Sequence, residues 1–333
     1  MRKGGRSAVT IRCVHVEGGE IQLQSRAEPI REAGQAIVEI TRAGLSHLDA
    51  AIGQGRVDFT GVPGQEMVGR VTQVDSEQEE WKSARVVIDP LINCSQCRWC
   101  GAGLRSQCSD LRIIGRSGAD GGLATHVVVP LTSLVRIPDH VDDDAAVFAV
   151  PVSRAIQAAR QATIQGQTYV TIVGDNALAL LTAQVLVRLN ASVRVLGGHE
   201  TLLDRCERWG IRHRRREEAG HRADQDIVVE CTGERPAVAA TLGFVRPRGT
   251  IIQMIAPRVV GDRGTTLDLQ KLVDGEIRLI GSSFGPVREA VDLIATDQID
   301  VVSLVGVRKR LEDVPGILSD PQLATGRKVL VTP

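Results

Sequence analysis

The segment NCSQCRWC at 93–100, closed by Cys108, packs four thiols into one short loop: Cys94, Cys97, Cys100 and Cys108, spaced C-x2-C-x2-C-x7-C. Four thiolates this near in sequence can surround one tetrahedral Zn²⁺ at Zn–S distances of about 2.3 Å. Four protein ligands leave no open coordination position, so the chemistry expected of this metal is architectural: it holds a loop and activates nothing. An iron–sulfur cluster is the competing metal reading, because ferredoxins also use C-x2-C-x2-C. Their fourth cysteine usually comes sooner and precedes proline, whereas here Ser109 follows a later Cys108. Disulfides are not expected, since the ligands crowd one loop and the segment MRKGGRSAVTIRC at 1–13 has no apolar core of signal-peptide length.

The elements that must position this loop can be read around it. Short apolar or alternating runs at 36–44, 67–74, 83–90 and 124–130, separated by Gly, Pro and Asp, predict a β-rich region. The cysteine loop follows the strand ending at Asp89-Pro90. Near residue 143 the pattern changes. DDDAAVFAVPVSRAIQAARQA predicts a capped helix, and strands then alternate with helices. Strands are expected at 168–174, 192–198, 226–233, 249–255 and 276–284, with helices at 177–190, 201–210 and 236–245. That alternation predicts an α/β protein whose parallel sheet is covered on both faces. A helix near 286–296 and a strand near 327–331 complete the chain.

Forty basic and forty acidic residues cancel over 333 residues, so no overall field favours nucleic acid or an anionic membrane. The run Arg212-His213-Arg214-Arg215-Arg216 is followed at once by two glutamates and reads as a solvated surface segment. No stretch approaches a membrane span. A cytoplasmic setting, with no nucleic acid and no membrane among the partners, is the expectation.

The turn after the strand at 168–174 offers a second chemistry. Against the dinucleotide fingerprint G-x-G-x-x-G/A the chain reads Gly174-Asp175-Asn176-Ala177-Leu178-Ala179. A helix N-terminus behind such a turn attracts pyrophosphate. Asn176 replaces the central glycine. It can adopt left-handed backbone angles, and its side chain is then expected to crowd the pyrophosphate or donate to it. The next strand ends Leu196-Gly197-Gly198-His199 with no acid for a ribose 2′-hydroxyl. A 2′-phosphate is therefore not repelled there, and His199 or Arg205 could reach one, which favours NADP(H) over NAD(H). An ordinary strand–helix turn with no ligand is the bland alternative.

Taken together, these residues resemble the medium-chain dehydrogenase/reductase superfamily, the zinc-type alcohol dehydrogenase-like proteins, over essentially the whole chain. The resemblance rests on the cysteine lobe, on the run from Gly61 to Val71, on Gly121-Gly122-Leu123-Ala124-Thr125-His126, on Glu230-Cys231-Thr232-Gly233, and on Arg246-Pro247-Arg248-Gly249. It implies a GroES-like catalytic domain (1–150) carrying a structural zinc lobe near 90–110. It further implies a Rossmann domain (151–284) that binds the cofactor through the turn residues together with Thr232 and Gly233, and a segment (285–333) that returns to the first domain. It also implies a small-molecule substrate and a homodimer or homotetramer.

The same resemblance shows what has changed. The family's catalytic zinc ligands fall on Ser46, Gln65 and Val150, and its proton-relay hydroxyl on Leu48. A serine hydroxyl and an amide oxygen are poor zinc donors, and valine is none. The reading that follows is an NAD(P)(H)-dependent hydride transfer without catalytic zinc. Ser46, His47, Asp49, Gln65 and Glu66 are its candidate polar groups, and one structural zinc is expected per chain. Two alternatives stand beside it: an inactive relative that binds a nucleotide or other ligand, and a zinc-dependent alcohol or polyol dehydrogenase using non-standard ligands.

Overall fold

A computed structural model describes residues 10–256, 267–320 and 326–333; most of the N-terminal segment considered above lies outside them. Within the described residues, 10–147, 307–320 and 329–333 form one compact unit, and the remainder forms another.

The first unit is built on an antiparallel sheet ordered Leu134–Arg136, Arg85–Ile88, Glu66–Gln73, Gln35–Gly44, Lys328–Thr332, Val305–Arg310, with His126–Pro130 also paired to Gln35–Gly44. The central strands bury Ile37, Val38, Ile40, Met67, Val68 and Val71. Burying each such side chain stabilises the fold by about 1.5–3 kcal/mol. The register pairs Gly44 with Glu66. The chain thus leaves one strand at Leu45-Ser46 where it enters the other from Gly64-Gln65. A hairpin, Thr10–Glu17 with Glu20–Ala27, and a small sheet of Leu91–Ile92, Arg112–Ile114 and Gly118–Ala119 complete this unit.

The second unit holds a six-stranded parallel sheet. Its spatial order is Arg212–Arg215, Ser192–Gly197, Tyr169–Val173, Gln225–Glu230, Val245–Gln253, Arg278–Gly281. Numbered along the chain this is 3-2-1-4-5-6, the doubly wound order in which ligands bind outside the carboxyl ends of strands 1 and 4. The sheet is apolar because it is covered: Val170, Ile172, Val228, Val229, Ile251 and Ile252 are all buried. The helix Ala177–Arg188 follows the first strand and buries Leu180, Leu181 and Leu186. The helix expected near 286–296 is Val287–Ala295, and it packs on Ala149–Gln161. One element escapes the sequence reading. The arginine-rich run is exposed as expected, yet it is the edge strand of this sheet, paired in register with Arg194–Gly197.

Candidate functional site

In the cysteine loop, all four sulfur atoms lie within 4.8 Å of one another. Neighbouring pairs are 3.5 Å apart (Cys94 and Cys108), 3.6 Å (Cys97 and Cys100) and 3.9 Å (Cys97 and Cys108). Tetrahedral zinc with bonds of about 2.3 Å sets sulfur–sulfur separations of roughly 3.8 Å, so the donor set fits that ion. Backbone amides point at the sulfurs: Cys94 N donates to Cys108 Sγ, and Cys97 N to Cys94 Sγ. The Cys97 thiol is lowered to about 5, chiefly by the backbone N–H of Cys100 and then that of Ser109. The loop is anchored by Arg105, whose guanidinium donates to Asp89 Oδ2 at 2.9 Å and Asn93 Oδ1 at 3.0 Å. Among the described residues, this is the one group of three or more His, Cys, Asp and Glu donors gathered within reach of a single ion.

The polar candidates of the first unit divide into two kinds. Ser46 caps the helix His47–Gly53, and its hydroxyl donates to Asp49 Oδ2 at 2.6 Å, while Ser46 N donates to the same oxygen at 2.7 Å. Asp49 is fully buried. These two residues therefore form a reciprocal capping box, and His47 opens the helix beside them. Gln65 is different. It is buried, and its Nε2 meets no acceptor among the described residues. Its place is set by glycine packing. Gly64 has φ +105°, and a Cβ there would lie 2.8 Å from Leu123 N. Gly122 N and Leu123 N donate to Gly64 O and Pro63 O, so the two glycine-rich runs clamp each other. Glu66, next along the strand, is also buried.

In the second unit, Gly174 turns the chain at φ +120°, and a Cβ would meet Thr232 at 2.9 Å. Thr232 and Gly233 stand beside it at the end of the fourth strand. Their amides and the Thr232 hydroxyl all donate to the buried Glu230 carboxylate. Burial raises the Glu230 carboxyl above its ordinary value against the opposing pull of these donors.

The alcohol dehydrogenase GroES-like domain matches residues 32–139. Over 309 residues the chain is 24% identical to an uncharacterized zinc-type alcohol dehydrogenase-like protein of Haemophilus influenzae, covering 88% of this chain and 89% of that protein. It is 28% identical over 273 residues to the L-idonate 5-dehydrogenase (NAD(P)(+)) of Escherichia coli, covering 74% and 76%. A protein of Sinorhizobium meliloti, described as a zinc-binding dehydrogenase and solved with NADP, superposes with a TM-score of 0.87 at 25% identity, covering 98% of this chain and all of that one. The chain is similar to medium-chain dehydrogenase/reductase proteins over nearly its whole length.

At its phosphate turn the structure departs from two expectations. Asn176 is not left-handed: at φ −69° and ψ 170° it is the extended N-cap of the helix Ala177–Arg188. Its Oδ1 accepts from Ala179 N at 3.0 Å and its Nδ2 donates to Cys231 O at 2.7 Å. The side chain serves the protein: both ends of this buried amide are satisfied by the backbone. Ala177 N also has a partner, Gly326 O at 3.2 Å. Leu178 N is the first-turn donor with no protein acceptor among the described residues, while Ala179 lies one turn position further in.

The second departure lies at the end of strand two. A carboxylate stands there after all, supplied by the first turn. Asp175 Oδ2 accepts from Gly198 N at 2.8 Å and His199 N at 2.7 Å, and His199 Nδ1 lies 3.1 Å from both carboxylate oxygens. A Cβ on Gly197 would fall 2.3 Å from Asp175 Oδ2. Asp175 and Glu230 are the candidate residues at this turn that motif matching passes over. One occupies a free position of the fingerprint, and the other precedes the Cys-Thr-Gly that drew attention. The missed signal was Gly197-Gly198, a backbone stripped of side chains where another side chain lies down. Among the described residues, no helix is long and apolar enough to cross a membrane.

Proposed function

We propose that this chain is a nicotinamide-dinucleotide-dependent oxidoreductase acting on a small molecule, with one zinc in the cysteine lobe and no second zinc at the reacting centre. The observation that carries the reading is the 3-2-1-4-5-6 sheet with the Gly174 turn and a helix N-terminus at its switch point, an arrangement that suits a dinucleotide. Residues 174–179, Gly197, Gly198, Thr232 and Gly233 would hold the cofactor, which supplies hydride chemistry when bound. The four sulfurs would hold zinc, whose closed coordination confines it to bracing the loop.

The residues at the family's metal positions then have non-metal roles. Ser46 is locked to Asp49 and holds the start of its helix. Gln65 carries a buried N–H with no acceptor among the described residues; donated to a substrate oxygen, it would stabilise charge developing there. The Asp175 carboxylate at the end of strand two supports NAD(H) over NADP(H), because it meets a 2′-phosphate with like charge. This reverses the preference drawn from the strand's own residues.

A second reading has a specific observation behind it. Asn176 and Gly326 O already occupy two first-turn donors, as expected of a relative that has given up cofactor binding and serves as a ligand-binding protein. Titration of the full chain with NADH and NADPH, followed by tryptophan fluorescence, decides between them. Saturable binding below millimolar concentration, tighter for NADH, supports the oxidoreductase; absence of binding for both refutes it. Metal analysis gives the independent arm: one zinc per chain is expected, and two would overturn the zinc-free centre.

A further inference from the structure

The edge strand Arg212–Arg215 carries more than a charged rim. Arg212 and Arg214 are two residues apart and so project to one face, and the register sets Arg212 beside Arg194 of the neighbouring strand. The link from this strand to Gln225–Glu230, residues 216–224, contains a single 3-10 turn and no α-helix. Such crossovers normally run a dozen residues or more and include a helix. Beside this strand and its link there is a cleft of about 690 Å³, lined by Arg194, Arg212, Arg214 and Arg222, with Glu207 and Glu218. Its size is that of small-molecule sites, which span about 300–1,000 Å³.

The charges in the cleft are unevenly satisfied. Glu207 is engaged by His213 Nε2 at 3.2 Å. Arg212, Arg214 and Arg222 have no ion-pair partner among the described residues, although Arg215 and Arg216 beside them pair with Glu200 and Glu234. Arg194 donates one Nη2–H to Thr171 Oγ1 at 2.9 Å, while its Nε is buried with no acceptor among the described residues. Burial lowers Arg194 from its ordinary value, Asp224 opposes this, and Arg214 and Arg222 add to it, so these cations sense one another across the cleft.

We propose that this cleft is an anion-binding site for a small phosphorylated molecule, with Arg194, Arg212, Arg214 and Arg222 gripping the phosphate. Guanidinium forks match phosphate oxygens in paired hydrogen bonds. The ligand is small because the cleft holds about 690 Å³. The site is separate from the Gly174 turn and does not depend on the cofactor reading.

The test is titration of the full-length protein with inorganic pyrophosphate, followed by calorimetry and by the fluorescence of Trp209, which precedes Gly210 of the cleft wall. Saturable binding that survives physiological salt is expected. The double substitution R212A/R214A, at exposed positions, should weaken it by more than about tenfold, since losing even one charge-assisted contact is worth that much. R248A, an exposed arginine paired with Glu276 outside the cleft, should leave it unchanged. No saturable binding refutes the site. Binding that persists in R212A/R214A assigns the anion elsewhere, the Leu178 turn included. Equal losses in R212A/R214A and R248A reduce the arginines to a charged edge that blocks strand pairing.

Discussion

Replacing Asn176 by Ala separates a structural from a ligand-binding role at the phosphate turn. The substitution removes two bonds: the cap to Ala179 N at 3.0 Å and the donor to Cys231 O at 2.7 Å. Loss of an N-cap costs about 1 kcal/mol. Withdrawing a donor from a buried carbonyl adds about 1–3 kcal/mol, and Cys231 is fully buried. The sum, about 2–4 kcal/mol, corresponds to a fall of roughly 5–15 °C in Tm for a domain of this size. The assay is thermal unfolding by circular dichroism, with urea unfolding as a second measure. Asn176→Ser retains a cap acceptor and loses the donor to Cys231 O, so it should fall between parent and Ala. If Asn176→Ala melts with the parent and instead changes only nucleotide affinity, the capping argument is refuted and the side chain belongs to the ligand.

Gly197→Ala should destabilise by about 1–3 kcal/mol through overpacking, because its Cβ would meet Asp175 Oδ2 at 2.3 Å; measured in an Asp175→Gly background, the same substitution should cost much less, as a double-mutant cycle would read. Asp175→Ser in the parent background should shift the NADH-to-NADPH affinity ratio toward NADPH, and an unchanged ratio would count against a carboxylate in the ribose site. Cys97→Ser should lower the zinc content and Tm together; a variant that kept both would remove the architectural-zinc argument. In metal-free protein the Cys97 thiol, lowered from 9.0 to about 5, contributes stability that is full above pH 9 and is lost as pH falls toward 5. Ultraviolet thiolate absorbance should therefore show one cysteine titrating near the lower value, and titration of all cysteines near 9 would contradict it.

Much of the fold was legible along the chain because its signals are local. The period of the apolar residues distinguishes strand from helix. The cysteine spacing alone brings four sulfurs near one point, since a few residues can span only a short loop. Gly61 to Val71 and Gly121 to His126 mark the family because their glycines allow backbones to touch, as the Gly64–Leu123 contact shows. The edge strand Arg212–Arg215 was illegible for the complementary reason. It buries no apolar face, so nothing in its residue types records that it pairs with Ser192–Gly197.

The sequence by itself determined the mixed α/β architecture, the closed four-sulfur donor set and the poor zinc donors at Ser46 and Gln65, because donor chemistry and hydrophobic period belong to residue types. Tertiary structure alone decided where the polar side chains go. Asn176 turns inward to cap its helix, Asp175 crosses to the end of a strand that has no acid of its own, and Glu230 gathers the amides of Thr232 and Gly233. Only in three dimensions do Arg194, Arg212, Arg214 and Arg222 share a cleft. A side chain's hydrogen-bond partner is chosen by what folding brings within about 3 Å, and that proximity is not written in the spacing of any motif.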